Sequence, residues 1–200
     1  MALRQIRTEE DPILRKISKQ VKEITPRTEE LIDDMCESLE SFNGVVLAAV
    51  QVGVLKRICI INIAPEDLMT DEEGEEPKAS EGFMIHTEGK DLVVINPTVI
   101  AEGEDTQTGS EGCLSIPGKV GTVTRPQYVK VRAFDRDMQE FELEAEDLLA
   151  RACCHEFDHL DGHLYRELAE GPLRDADEEE EDEEIVEETG EEAAEGTEEA

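Results

Sequence analysis

The stretch EDLLARACCHEFDHLDG, residues 146–162, constrains the chain most. Leu148, Leu149, Ala152, Cys153, His159 and Leu160 supply the inward side of a helix, and Gly162 marks its end. Residues i and i+4 share a helix face, so His155 and His159 point the same way with Glu156 beside them. The apolar flank predicts that this helix is partly buried. Two imidazoles and a carboxylate are costly to bury without partners, so the fold has to supply one.

A metal ion between the histidines is one such partner. In the H-E-x-x-H pattern the glutamate then takes a proton from water. The same five residues also suit a surface helix with two solvated histidines. Asp158 and Asp161 are placed to accept from the imidazole N–H groups. A catalytic metal needs a third protein ligand and one open position. Downstream stand His163, Glu167 and Glu170; His163 lies a further turn along the helix, too far to converge with the other two. Upstream, Cys113 sits in the turn-rich segment GSEGCLSIPG, which predicts a thiol at a strand end. One thiolate with two imidazoles makes a tetrahedral set suited to Zn²⁺ or Fe²⁺. Cys36, Cys59, Cys153 and Cys154 sit on apolar faces and are expected to be structural thiols. Five cysteines without framework spacing suit a reducing compartment.

Elsewhere, Asp11-Pro12 predicts a first helix, and Thr25-Pro26 a second over 26–43, with Leu31, Met35, Leu39 and Phe42 inward. Residues 57–64, 91–100, 128–134 and 140–145 are short β-branched or alternating runs and predict strands. The order of elements predicts an α+β fold with mainly antiparallel sheets around the histidine helix. Residues 1–174 form one domain, with 65–90 as a surface insertion. Net charge is −33, and 16 of the 52 acidic residues lie in 175–200, which has no Lys or Arg. Such a segment repels itself and buries little, which predicts a disordered acidic tail. The charge excludes nucleic-acid binding through a basic surface. No apolar run of about 18 residues predicts a membrane span, and the N-terminus lacks the apolar stretch of a signal peptide.

Three motifs stand in order: GVVLAAVQ (44–51), EGCLS (111–115) and HEFDH (155–159). Together with DPILRK and RPQYVKVRAFDRDMQEFELEAEDLLAR, they make the chain resemble the peptide deformylase family over residues 4–165, apart from 65–90. That family's motifs are G-x-G-x-A-A-x-Q, E-G-C-x-S and H-E-x-x-H. The resemblance implies that Cys113, His155 and His159 bind the metal. It implies that Glu156 is the general base and then the acid, while Gln51 and the backbone N–H of Leu114 donate to the oxyanion. The implied reaction is hydrolysis of the N-formyl group from the formyl-methionine of new polypeptides, releasing formate. The implied metal is Fe²⁺, with Zn²⁺ or Ni²⁺ able to occupy the site. The substrate would lie along Val45 and Val46 as an added strand, where Gly44, Ala48 and Ala49 allow close approach. Gly112, Leu148, Arg151 and Ala152 would line its path and pocket. Glu111 and Arg125 match a supporting ion pair. Val46 replaces the second motif glycine, and its methyl groups are expected to narrow the path. The implied partners are N-formylmethionyl nascent peptides in a bacterial-type cytoplasm, with no membrane and no direct nucleic-acid binding. Ribosome contact would be transient and weakened by the acidic tail through repulsion from RNA.

Overall fold

Strand β2 (Ile58–Ile61) is buried at all four positions, because helices cover both faces of its sheet. Ile58 and Ile60 face α1 (Pro26–Ser41), while Cys59 and Ile61 face α2 (Asp147–Asp161). That is the two-residue alternation of a pleated strand read on both sides. The computed structural model describes residues 3–63 and 91–177. The expected insertion at 65–90 and the expected tail from residue 178 onward lie outside the described residues.

In chain order, β1 (Val46–Ala48) and β2 are followed by β3 (Leu92–Glu102), β4 (Thr106–Cys113), β5 (Ile116–Pro126), β6 (Tyr128–Phe134) and β7 (Glu140–Glu146). α2 and the two-residue β8 (Arg174–Asp175) complete the order. One sheet has the order β1-β2-β3-β6-β7 and the other β4-β5-β8, and every strand ladder is antiparallel. This is the α+β architecture expected, with α2 packed against strands of both sheets.

Local chemistry accounts for most boundaries. Thr25 caps α1, its hydroxyl accepting from the Thr28 N–H, and Pro26 occupies the first turn. Leu31, Ile32, Met35 and Leu39 then bury fully or nearly so against Leu47 and Ile60. Each such side chain contributes about 1.5–3 kcal/mol by leaving water. β7 alternates cleanly: Phe141, Leu143 and Ala145 are buried, while Glu140, Glu142, Glu144 and Glu146 are exposed.

Several expectations need correction. The first helix is only a 3-10 turn, Pro12–Arg15, because beyond Lys16 the chain runs along the end of α2, where the Ser18 N–H donates to the Leu160 carbonyl at 2.8 Å. Strands β4 and β5 were not expected as a long hairpin. Asp175, the first residue of the expected tail, pairs with Lys119 of β5 through both backbone and side chain.

Candidate metal centre

The C-terminal end of α2 is fixed by Gly162. Its φ of 85° is left-handed, and its N–H and that of His163 bond back to the last helical carbonyls. A Cβ there would lie 2.9 Å from the Arg15 carbonyl, so conformation and close packing both require glycine. The helix stops at Asp161, and His163 lies beyond it. His163 is exposed and bonds to Glu167 at 3.0 Å, away from the other histidines.

Cys113 ends β4, just after a register shift at Gly112 and Cys113. The β4–β5 hairpin turns through Leu114 and Ser115 and carries the thiol to α2. Cys113 Sγ lies 3.2 Å from His159 Nε2. One ligand atom each from Cys113, His155 and His159 lie within 4.8 Å of one another. The two imidazoles meet edge to face at 5.0 Å.

Glu111 organises the surroundings. Its carboxylate takes a two-pronged contact from Arg125 (2.9 and 3.0 Å), a third from Arg151 Nη1 (2.9 Å) and a fourth from His155 Nδ1 (3.0 Å). Burial would raise its pKa, but the contacts to His155 and Arg125 outweigh it and hold Glu111 at about 2. An ionised carboxylate only accepts, so the proton sits on His155 Nδ1 and Nε2 is left for the site. Burial would depress the His155 value, yet Cys113 and Glu111 push it up to about 10, so an ion binding at Nε2 would displace a proton. His159, buried without such support, is pushed down to about 4 and stays neutral, with a lone pair available to a metal ion.

Asp158 and Asp161, expected to accept from the imidazoles, do not. Asp158 takes the Nη1 of Arg125 at 2.7 Å and Asp161 pairs with Arg57. Glu111 fills that role from the other sheet, reached through the ion pair with Arg125. Arg151, expected in a substrate pocket, turns its guanidinium to Glu111 and to the carbonyls of Gln107, Gly109 and Val123. Leu148, expected inward, is 38% exposed on the first turn of α2. Ala152 is buried in the core on the α2 side of the sheet.

Gln51 follows β1 in a 3-10 turn and is buried. Its Oε1 accepts from the Ala48 N–H at 2.8 Å. That fixes the amide so that Nε2 faces Cys113 Sγ (3.4 Å) and Ser115 Oγ (3.2 Å). At Gly44 a Cβ would approach Leu39 Cδ1 to 2.7 Å and Leu114 Cδ1 to 3.2 Å. Val45 is exposed, and Val46 packs against the core cluster on the α2 side. β1 is an edge strand. The Val45 carbonyl bonds toward β2, so the N–H and C=O of Val46 face the open edge.

Both oxygens of Glu156 and Nδ1 of His159 are buried without a partner among the described residues. Burial, only partly offset by His159 and His155, lifts Glu156 to about 7. A divalent cation fits this set: one sulfur and two nitrogen donors converge beside an unpartnered carboxylate.

The sequence matches the family described as polypeptide deformylase over residues 3–172. The chain belongs to that family. The peptide deformylase of Agathobacter rectalis is 51% identical over 175 residues, spanning 88% of this chain and 95% of the relative. That of Lachnoclostridium phytofermentans is 50% identical over 186 residues, spanning 91% and 100%. Among solved structures, the peptide deformylase of Ehrlichia chaffeensis superposes with a TM-score of 0.72 at 32% identity, over 84% of this chain and 88% of that one. The Thermotoga maritima deformylase gives 0.70 at 29%, over 86% and 100%. The resemblance read from the three motifs is thereby borne out. Peptide deformylases are metal-dependent hydrolases that remove the N-formyl group from nascent polypeptides, and that is the activity of this chain. No helix among the described residues is long and apolar enough to cross a membrane.

Proposed function

We propose that Cys113, His155 and His159 hold one divalent ion, Fe²⁺ natively with Zn²⁺ or Ni²⁺ able to replace it, and that Glu156 carries the proton of the hydrolysis. The observation behind this reading is Glu156, whose two buried oxygens lack a partner among the described residues and sit beside three convergent ligand atoms. Bound there, the ion acts as a Lewis acid that lowers the pKa of water and draws charge from a carbonyl oxygen. Glu156, with a pKa near neutrality, takes the proton of the attacking water and returns it to the leaving amine. Gln51 Nε2 and the N–H of Leu114 donate to the oxygen that gains charge, each donor being worth about 2.7–4 kcal/mol. The formyl-peptide pairs with the free N–H and C=O of Val46 as an added strand. Its first side chain passes between Val45, Val46, Gly44 and Gly112 toward the first turns of α2, near Leu148 and Ala152. Arg151 serves there by holding Glu111 and the β4–β5 carbonyls.

The substrate reaches the enzyme on nascent chains in the cytoplasm, through transient ribosome contacts that the acidic C-terminus weakens. The experiment is formate release from formyl-Met-Ala-Ser by protein purified without oxygen, with Glu156→Ala as the blank. Release by the wild type alone supports the assignment; equal release by both refutes the role of Glu156. A peptidase drawing its third ligand from downstream of α2 would keep its metal in Cys113→Ala, whereas the present reading requires its loss. The bond between His163 and Glu167 favours the latter.

A further inference from the structure

In-plane contacts hold His155 on two sides, Nδ1 to Glu111 at 3.0 Å and the ring's other side to Cys113. They leave the tilt of the imidazole about the axis through them to whatever packs on its faces. The opposite constraint comes from beyond the helix. After Gly162 the chain doubles back, and a 3-10 turn (Tyr165–Glu167) sets the Tyr165 ring against His155, with centroids 5.9 Å apart and planes 25° from parallel. Tyr165 is 1% exposed. Its hydroxyl donates to the Lys119 carbonyl on β5 at 2.9 Å, which fixes the ring from its far end.

The segment that carries Tyr165 is itself fastened to β5. The Glu170 N–H donates to the Thr122 carbonyl at 2.8 Å, and the Thr124 hydroxyl donates to Glu170 Oε1 at 2.7 Å. A Cβ on Gly121 would come within 2.6 Å of Leu173 Cδ2 and 3.2 Å of Tyr165 Cε2, so the absence of a side chain there lets the strap lie flat. β8 closes the strap.

We propose that Tyr165 is a positioning residue of the metal centre: its ring, tethered through Lys119, sets the tilt of His155 and thereby how tightly the ion is held. This rests on Cys113, His155 and His159 being the metal centre. Groups that orient a ligating histidine typically change metal affinity by roughly 10–100-fold when removed. The phenol does this with a face and a tether in place of a carboxylate.

The test follows release of Zn²⁺ from the zinc-loaded full chain to a chromophoric chelator, together with the ligand-field bands of the Co²⁺-substituted protein. Tyr165→Met fills the space without a ring, Tyr165→Phe keeps the ring without its tether, and Ile32→Ala is a destabilised control in the other core. Wild type binding one Zn²⁺ establishes the centre independently of Tyr165; no stoichiometric Zn²⁺ would sink the centre and the proposal together. The expected series is release by Tyr165→Met roughly tenfold faster than wild type, by Tyr165→Phe in between, and by Ile32→Ala as in wild type, with Co²⁺ bands displaced only in the Tyr165 variants. Release from both Tyr165 variants matching Ile32→Ala would overturn the proposal. If Tyr165→Met does not fold, Tyr165→Phe decides alone, and a rate and Co²⁺ spectrum equal to wild type would overturn it.

Discussion

Glu156 and Glu111 are both buried carboxylates, and their surroundings send them opposite ways. Glu111 is held near 2 by His155 and Arg125, against the pull of its burial, and Glu156 is lifted to about 7 by burial without a partner. One is therefore a fixed charge and the other a group that exchanges protons at neutral pH. Glu156→Gln should keep its metal, assayed by elemental analysis, while formate release falls by roughly 10²–10⁴-fold. Glu111→Gln should leave Arg125 and Arg151 buried beside a neutral amide and weaken metal binding by roughly 10–100-fold in a chelator competition. A third group reads pH through stability. Burial, aided by Asp91, pushes the Cys36 thiol from 9.0 to about 12. Above pH 9.0 the unfolded chain loses this proton while the folded chain keeps it, so the stability present below 9.0 is lost as pH rises toward 12. The urea midpoint of the wild type should fall faster above pH 9.0 than that of Cys36→Ala. His155, Glu156 and His159 are legible in the sequence because one helix carries them at i, i+1 and i+4. Tyr165 is not, since its contact with His155 depends on the chain reversal at Gly162, which leaves no spacing to read.

At the level of elements, the legible ones carry their burial in hydrophobicity: β2 is apolar on both faces, and β7 and α1 each turn one apolar face to a core. β7 alternates at every position, so its sequence EFELEAE states its own register. α1 shows its stripe for the same reason. β4 and β5 do not, because their inward positions, Gln107, Gly109, Glu111 and Cys113 on one and Gly121, Val123 and Arg125 on the other, are mostly polar or glycine, so burial alternates where hydrophobicity does not. The helix that carries His155 and His159 depends on the glycine that caps it. Gly162→Ala should cost about 1–3 kcal/mol from the left-handed φ alone, with more from the Arg15 carbonyl, measured as a lowered urea midpoint. Edge strand β1 is where specificity should respond. Val46→Gly should raise kcat/KM for formyl-peptides with a branched first side chain relative to formyl-Met, measured by formate release.

Across the whole molecule, a net charge of −33 sits on an enzyme whose substrate emerges beside RNA. Sequence alone divided the chain at residue 174, but the pairing of Lys119 with Asp175 moves the structural boundary past that point. A chain ending at residue 177 should therefore melt as the full-length protein does, whereas one ending at 173 should melt lower; differential scanning calorimetry of the two distinguishes them. At low salt the chain ending at 177 should also sediment more strongly with ribosomes than the full chain.

The clasp between the two ends of the fold also sets a timetable. Ser18 bonds to Leu160, Arg15 pairs with Glu167, and Arg166 pairs with Glu9. During synthesis Glu9, Arg15 and Ser18 cannot complete these contacts until residues 160–167 are made, although Arg7 and Lys19 have Gln51, Leu55 and Arg57 to bond with well before. Cys113 is made long before His155, His159 and Tyr165. An ion held by these three groups would thus be captured late in maturation, and a half-made chain would carry the thiol without the imidazoles that would share a metal with it.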